Sequence, residues 1–209
     1  WQGERVNSVR AFTRSGVLPD QALRALRRVL DEDPIELPPG YRIEFGGDAE
    51  ERADALGGLL ASLGMLASLM LLIVVLTFNS FRLAASVFTV ALQAVGLGLL
   101  SLATLAHPMG FQAIIGLLGL IGIAVNAAIL INSELQADAQ ARAGDSERIA
   151  TLVVERCSRH ILSTTITTFG GFLPLLFAGG GLWPPFAAVI AGGVLLSALL
   201  SFYFVPPAF

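Results

Sequence analysis

The sequence predicts a mostly α-helical protein that crosses a membrane several times. Hydrophobic residues make up 55% of the 209-residue chain and charged residues only 14%. The mean hydropathy is +0.73, which is too apolar for an ordinary soluble domain of this size. Uncharged stretches recur that can cross a hydrocarbon core of about 30 Å as helices. We therefore predict a polytopic membrane protein with five transmembrane helices, preceded by a small α+β segment.

Composition also argues against several functional classes. The net charge of −3 comes without a clustered basic face, which does not favour nucleic-acid binding. The single cysteine, Cys157, allows no internal disulfide and no cysteine-based metal site. No metal-ligand spacing or phosphate-binding glycine loop is present, so we predict no metal and no cofactor. Residues 1–50 mix charges throughout and contain no signal peptide, and we expect Trp1 to begin partway through a longer protein.

Residues 1–47 are the stretch with the composition of a water-soluble segment. We predict a strand over Arg5–Arg14, an amphipathic helix over Pro19–Leu30 and a strand over Tyr41–Phe45. So small a unit buries little surface by itself, so we interpret it as the end of a domain whose remainder lies upstream. A small independent cap is the alternative.

Residues 48–209 form the predicted transmembrane domain. Asp48 is a suitable N-cap, with Glu51 completing a capping-box pattern. The predicted spans cover about 55–78, 83–106, 111–132, 161–178 and 185–206. Between the third and fourth spans, about 145–158 has one apolar face and is predicted to lie along the membrane surface. A soluble hairpin helix that merely connects the two spans is the alternative.

The positions of the arginines predict the orientation. Five arginines lie in the connections at one end of the predicted bundle: Arg82, Arg142, Arg148, Arg156 and Arg159. The connections at the other end, 107–110 and 179–184, contain no Lys or Arg. The positive-inside rule therefore places the arginine-rich end and the C-terminus in the cytoplasm, and residues 1–47 outside, in the periplasm where the cell has one.

The third span, within Gly110–Glu134, is predicted to be the central helix. It contains small residues at a spacing that allows close approach of another helix, and an amide, Asn126, that needs a partner in lipid. A second stripe of small residues lies in the fifth span. The predicted packing positions are Gly116, Gly119, Gly122, Gly193, Ser197 and Ser201.

The predicted spans contain no Asp, Glu, Lys or Arg. Intramembrane charges usually indicate a pathway or a proton relay, so a titrating group for proton transport would have to lie outside these spans. Uncharged polarity is present instead, at Asn126 and in the run from Ser163 to Thr168. These hydroxyls either form a polar seam toward other helices or bond back to their own helix. His160 and Ser163 are i, i+3 but have no orienting acid nearby, so no enzyme is predicted.

Several segments together resemble the C-terminal part of resistance-nodulation-division (RND) efflux permeases. They occur in the family's order and spacing: GGDAEE, the FNSF turn at 78–81, GLIGIAVNAAILI, ILSTTITTFGGFLPL after Arg159, and FVPPAF. The resemblance covers essentially the whole chain. It is greatest for the hydrophobe/amphiphile drug exporters, with the heavy-metal exporters close behind.

The resemblance implies a fold and a set of partners. The five spans would be the last five of a twelve-span bundle in a bacterial inner membrane, and residues 1–47 the end of a periplasmic porter subdomain. The complete protein would include a missing N-terminal half, form a homotrimer, and work with a periplasmic adaptor and an outer-membrane channel. It would export amphiphilic small molecules in exchange for protons.

The resemblance also implies a set of proton-relay positions. Two Asp residues of the missing half are surrounded in the family by a Lys, an Arg and a Thr. The Thr position matches Thr164, whereas the Lys position falls on Asn126 and the Arg position on Cys157, close to Arg156 and Arg159. We therefore expect Asn126 and Thr164, with Arg156 or Arg159 nearby, to face the acidic span. A non-transporting scaffold, an auxiliary of protein or lipid export, and a heavy-metal exporter are the alternatives.

Overall fold

A computed structural model describes residues 19–35, 48–178 and 183–209, with seven isolated residues at 7, 9, 11, 38, 40, 43 and 45. The chain divides into two units, Trp1–Ala53 and Asp54–Phe209. In the first unit, helix α1 covers Pro19–Glu32, and the Arg27 guanidinium carbon lies 5.1 Å from the centroid of the Phe45 ring. The predicted strands at 5–14 and 41–45 lie largely outside the described residues.

A series of helices follows from Asp48 and makes up most of the second unit. They are α2 (Asp48–Phe78), α3 (Phe81–Thr104), α4 (Phe111–Ala137), the short helices α5 (Ala139–Arg142) and α6 (Ser146–Leu152), then α7 (Ser158–Ala178) and α8 (Pro184–Ala208). Five helical stretches are long and apolar enough to cross a membrane: Gly57–Phe78, Phe81–Thr104, Phe111–Ala137, Ser146–Phe177 and Pro184–Ala208. The prediction of five such helices is confirmed.

The turn between α2 and α3 is short and is tied to α4. Asn79 has φ +46°, a left-handed conformation that Asn tolerates better than most residues. Ser80 caps α3, its hydroxyl accepting from the Leu83 backbone N–H at 3.4 Å. The Gln136 side chain of α4 donates to the Phe78 carbonyl at 2.9 Å, so the turn is held against the end of α4.

The fourth membrane helix is continuous with the segment before it. The sequence predicts a surface helix over 145–158 and a separate span over 161–178, but α6 runs into α7 through a π-helical turn at Val153–Cys157. No Gly or Pro occurs between Ser146 and Phe169 to end the helix. A π turn usually carries one extra residue and rotates the helix face; here Val153 and Cys157 are buried. The helix is therefore longer than predicted.

Helix α8 occupies the centre of the described bundle. It packs against α3, α4 and α7, whereas α4 packs mainly against α3 and α8. Helix α8 therefore has a larger share of the interhelical packing than the Gly110–Glu134 helix, which was predicted to be central, and it presents small residues on more than one face. Its buried residues include Ala187, Ala188, Ala191, Gly193, Ser197, Ala198 and Ser201.

Glycines allow the backbone of α8 to approach its neighbours closely. A Cβ placed on Gly192 would overlap the Ser101 hydroxyl oxygen, and one on Gly193 would overlap the Leu120 side chain. On α4, a Cβ at Gly116 would lie 3.1 Å from the Phe186 carbonyl oxygen of α8. Ser101 donates to the Ala188 carbonyl at 2.6 Å, so the contact between α3 and α8 includes a buried interhelical hydrogen bond.

We expect Gly192→Ala to lower the free energy of unfolding by about 1–3 kcal/mol, because the methyl group would displace the Ser101 hydroxyl from the Ala188 carbonyl. Unfolding in mixed detergent micelles, followed by circular dichroism, measures this. Gly96→Ala in α3 is the matched control, since a Cβ there meets no atom within 4 Å. Equal stability of the two variants would contradict the packing argument.

Candidate functional site

A groove of about 370 Å³ lies between α4, α7 and α8. Most of its described lining is small or apolar, but polar side chains enter it from each of the three helices. They are Asn126, His160, Thr164, Thr165, Thr168 and Ser197. The structure therefore brings Asn126 and Thr164 to one site, although they lie on different helices and are 38 positions apart in the sequence.

Asn126 presents an unpartnered amide to this groove. It lies in the second half of α4 and is exposed, and its side chain makes no hydrogen bond to the part of the chain that the structure describes. An amide in a membrane-spanning helix needs a partner, because lipid cannot supply one. The amide N–H₂ can donate to a carboxylate, and the amide oxygen can accept from a protonated acid.

The Thr164 hydroxyl is bonded to its own helix. Its Oγ1 lies 2.7 Å from the His160 carbonyl oxygen and 3.0 Å from the Ile161 carbonyl oxygen. Because the proton of the hydroxyl is donated to these carbonyls, the free lone pair on Oγ1 can only accept. Thr164 is exposed whereas the next residue, Thr165, is only 5% exposed. Of Thr164 and Thr165, which both line the groove, Thr164 is therefore the one whose hydroxyl is open to a further helix.

The arginines near the groove are arranged differently from Asn126 and Thr164. Neither Arg156 nor Arg159 lines the groove, whereas His160 does. The Arg156 guanidinium lies 3.5 Å from the Glu134 carboxylate of α4, which directs its charge toward that acid. The Arg159 side chain is exposed and makes no hydrogen bond or ion pair within the described ranges. Cys157 is completely buried, so its side chain is not open to a further helix.

The remaining small residues of the sequence analysis divide between packing and the groove. Ser197 and Ser201 are buried, and their hydroxyls donate to the Val194 and Ser197 carbonyls at 3.3 and 2.8 Å. Gly119 has one ordinary contact, to Ile190 at 3.6 Å from a built Cβ, and Gly122 has none within 4 Å. Gly119 and Gly122 both line the groove, so the absence of side chains there widens it.

Asn132 is a polar residue that the sequence analysis missed. It is completely buried and donates to the Ser86 hydroxyl at 3.1 Å, joining α4 to α3. Its Oδ1 has no partner among the described residues. Asn132 and Asn126 are both amides in one apolar helix, six positions apart. Because six positions turn a helix by about 600°, the two side chains face different sides. This spacing of the two amides could have been read from the sequence.

The connection between α4 and α7 is held by an ion pair. Asp138 accepts from the Gln140 and Ala141 backbone N–H groups at 2.9 and 3.1 Å, capping α5. The Arg148 guanidinium of α6 donates to the same carboxylate at 3.0 and 2.8 Å. The hydrogen bond from Arg148 and those from the backbone lower the pKa of the Asp138 carboxyl below its usual value. These bonds fix where α6, and so α7, begins relative to α4.

Comparison with known proteins identifies the family. Residues 2–209 match the model of the AcrB/AcrD/AcrF family. This chain belongs to the AcrB/AcrD/AcrF family. The resemblance to RND permeases is thereby confirmed.

Two relatives of this chain are named for resistance to different kinds of compound. The chain is 31% identical over 198 residues to the multidrug resistance protein MdtC of Pantoea ananatis, covering 91% of this chain and 19% of that protein. It is 26% identical over 185 residues to the nickel-cobalt-cadmium resistance protein NccA of Alcaligenes xylosoxydans xylosoxydans, covering 87% and 17%. The chain thus spans about a fifth of the length of these curated relatives.

A solved structure shows the same fold. A crystal structure of a heavy metal efflux pump matches with a TM-score of 0.68 at 22% identity, over 89% of this chain and 18% of that one. The described fold is therefore that of a segment of this efflux pump.

We expect Asp138→Asn to destabilise the chain at neutral pH, because Asn keeps the cap on α5 but loses the charge that Arg148 binds. The pKa of Asp138 is lowered in the folded state, so its contribution is complete above its ordinary value of 3.8 and is lost as the pH falls through the lower folded value. The stability difference from the parent should therefore shrink at acid pH.

Thermal unfolding in an uncharged detergent between about pH 2.5 and 7 measures this difference. Asp145→Asn is the matched control, because Asp145 caps α6 in the same way, through the Glu147 and Arg148 backbone N–H groups, but is in no ion pair of the described structure. A gap between Asp138→Asn and the parent that stays constant with pH would exclude the ion pair as its cause.

Proposed function

We propose that this chain is part of a proton-driven RND transporter that exports amphiphilic compounds, and that the α4–α7–α8 groove receives the acidic side chains of the relay. Membership of the family supports transport. The observation that supports the relay is the pairing of an unpartnered amide, Asn126, with the acceptor hydroxyl of Thr164 in one open groove.

The two side chains can distinguish the protonation states of a carboxyl group. The Asn126 N–H₂ donates to a carboxylate, whereas the Asn126 oxygen and the Thr164 lone pair accept from a protonated acid. Protonation thus changes which bonds are available without a change in the groove itself. A bound proton shifts a conformational equilibrium only if its binding free energy differs between the two conformations. This exchange of hydrogen bonds would supply that difference and tilt α4 and α7 against the helices that carry the acids.

His160 adds an ionisable group at the edge of the groove. Among the described lining residues it is the one with a titratable side chain. As an imidazole it can donate to a carboxylate in either protonation state, and when charged it attracts one. We propose that His160 supplies part of the positive potential that the family's Lys and Arg would otherwise provide, with Arg159 beside it.

A relative named for multidrug resistance supports amphiphilic compounds as the exported substrate. The chain is 31% identical over 198 residues to the MdtC multidrug resistance protein. Metal export is a second candidate, supported by NccA and by the fold match to a heavy metal efflux pump. A non-transporting scaffold is a third, supported by the presence of Asn126 where the resemblance places a Lys.

The family resemblance also supports a setting for this activity. We propose that the complete protein lies in a bacterial inner membrane, forms a homotrimer, and joins a periplasmic adaptor and an outer-membrane channel. Residues 1–47 would then lie in the periplasm as the end of a porter subdomain, and the α4–α7 connection in the cytoplasm.

We expect the double change Asn126→Leu with Thr164→Val to reduce proton-coupled export at least about tenfold, because hydrogen bonds to a charged partner contribute about 1.5–3 kcal/mol each. The measurement is proton flux into proteoliposomes that contain the complete polypeptide, followed with a pH-sensitive dye under an imposed pH gradient. Thr167→Val is the matched control, since Thr167 bonds back to Ser163 and Thr164 and does not line the groove.

Full flux in the double variant would exclude these residues from the relay. Absence of flux in the parent itself would favour the scaffold instead.

Substrate choice can be measured with the same vesicles. We expect an amphiphilic cationic dye to increase proton flux by the parent protein, and Cd²⁺ or Ni²⁺ to leave it unchanged. The double variant provides the background rate for both. Flux that responds to the metal ions and not to the dye would assign the chain to metal export.

A further inference from the structure

A second pocket lies at the arginine-rich end of the bundle. It has a volume of about 400 Å³ and is bordered by the α2–α3 turn, the end of α4, α5 and the end of α8. The polar side chains that line it are Asn79, Ser80, Arg82, Gln136 and Arg142. The pocket is separate from the groove of the proposed relay, since the described linings of the two have no residue in common.

The pocket carries positive charge from two arginines, and some of their N–H groups have no partner within the described residues. Arg82 donates to the Ala208 carbonyl at 3.5 Å and to the Phe209 carbonyl. A guanidinium has five N–H donors, so further donors of Arg82 remain. The Arg142 side chain is exposed and makes no hydrogen bond or ion pair in the described part of the chain. No carboxylate side chain is among the described lining residues. The pocket therefore favours an anion.

The shape of the neighbouring surface indicates what kind of anion it is. The pocket lies where the candidate membrane-spanning stretches Gly57–Phe78 and Phe111–Ala137 end and Phe81–Thr104 begins, and the ends of such helices lie near lipid headgroups. Phe81, next to Arg82, is 79% exposed and would contact acyl chains. Arg binds phosphate oxygens in a bidentate manner, and basic pockets at the ends of membrane helices are suited to anionic headgroups.

We propose that Arg82 and Arg142 bind the phosphodiester of an anionic phospholipid in this pocket. The bound headgroup would bridge the α2–α3 turn and α5, two elements that are otherwise joined through α4. In this way the lipid would stabilise the end of α4 where Gln136 bonds to the Phe78 carbonyl.

The test uses the complete polypeptide in nanodiscs that contain a photoactivatable phosphatidylglycerol. Crosslinks are mapped by mass spectrometry to the peptide that contains Phe81. We expect Arg142→Gln to reduce this crosslink about fivefold, since one basic residue near an anionic surface contributes about that factor. Arg142 is the better position because its side chain holds no other part of the described structure, whereas Arg82 also bonds the end of α8.

Arg159→Gln is the control, because it removes one charge outside the pocket. It should leave the crosslink unchanged, and an equal loss in both variants would show a general effect of charge and overturn the proposal. An unchanged crosslink in Arg142→Gln would also overturn it. Photoactivatable phosphatidylcholine should label the peptide weakly, and equal labelling would exclude selection for an anion. Competition by millimolar inorganic phosphate would show that free phosphate, not lipid, occupies the pocket.

Discussion

The bundle depends on the close approach of α8 to α3 and α4. In lipid, helices gain little from hydrophobic burial against each other, so van der Waals packing and interhelical hydrogen bonds hold them together. Gly192 and Gly193 bring the α8 backbone against Ser101 and Leu120, and the Ser101–Ala188 hydrogen bond lies inside that contact. With α8 held in this way, α4 and α7 pack on it from different sides, and the groove is the space between them.

Buried amides set the rotation of the helices around this centre. Asn132 bonds to Ser86 on one side of α4, which turns Asn126 toward the groove. An amide left without a partner in an apolar core costs about 1–3 kcal/mol, so α4 has little freedom to rotate about its axis. Gln136 makes a similar bond to the Phe78 carbonyl at the end of the helix. The position of Asn126 therefore follows from residues that never touch the groove.

The sequence predicted the five apolar helices well because length and the absence of charge are local properties. It did not indicate the central place of α8, since burial of α8 depends on three neighbours at once. It separated 145–158 from the fourth span because one apolar face is typical of a helix that lies along a membrane surface, yet a helix continues through exposed charges unless Gly or Pro ends it. The meeting of Asn126 and Thr164 came from the family resemblance and not from spacing. The π turn at Val153–Cys157 is a feature that sequence periodicity does not indicate.

The neutral character of the groove has a consequence for the proposed relay. A fixed cation beside a carboxyl group lowers its pKa, because the charged form is favoured, whereas a neutral amide does so much less. An acid that faces Asn126 and Thr164 would therefore keep its proton at a higher pH than one that faces a Lys. Proton uptake would become easier and release harder. His160 and Arg159 are the groups placed to restore release by adding positive potential when the acid is ionised. In a relay built on this groove, Asn126 would provide the hydrogen bond to the acid and His160 the positive charge. A lysine would provide both.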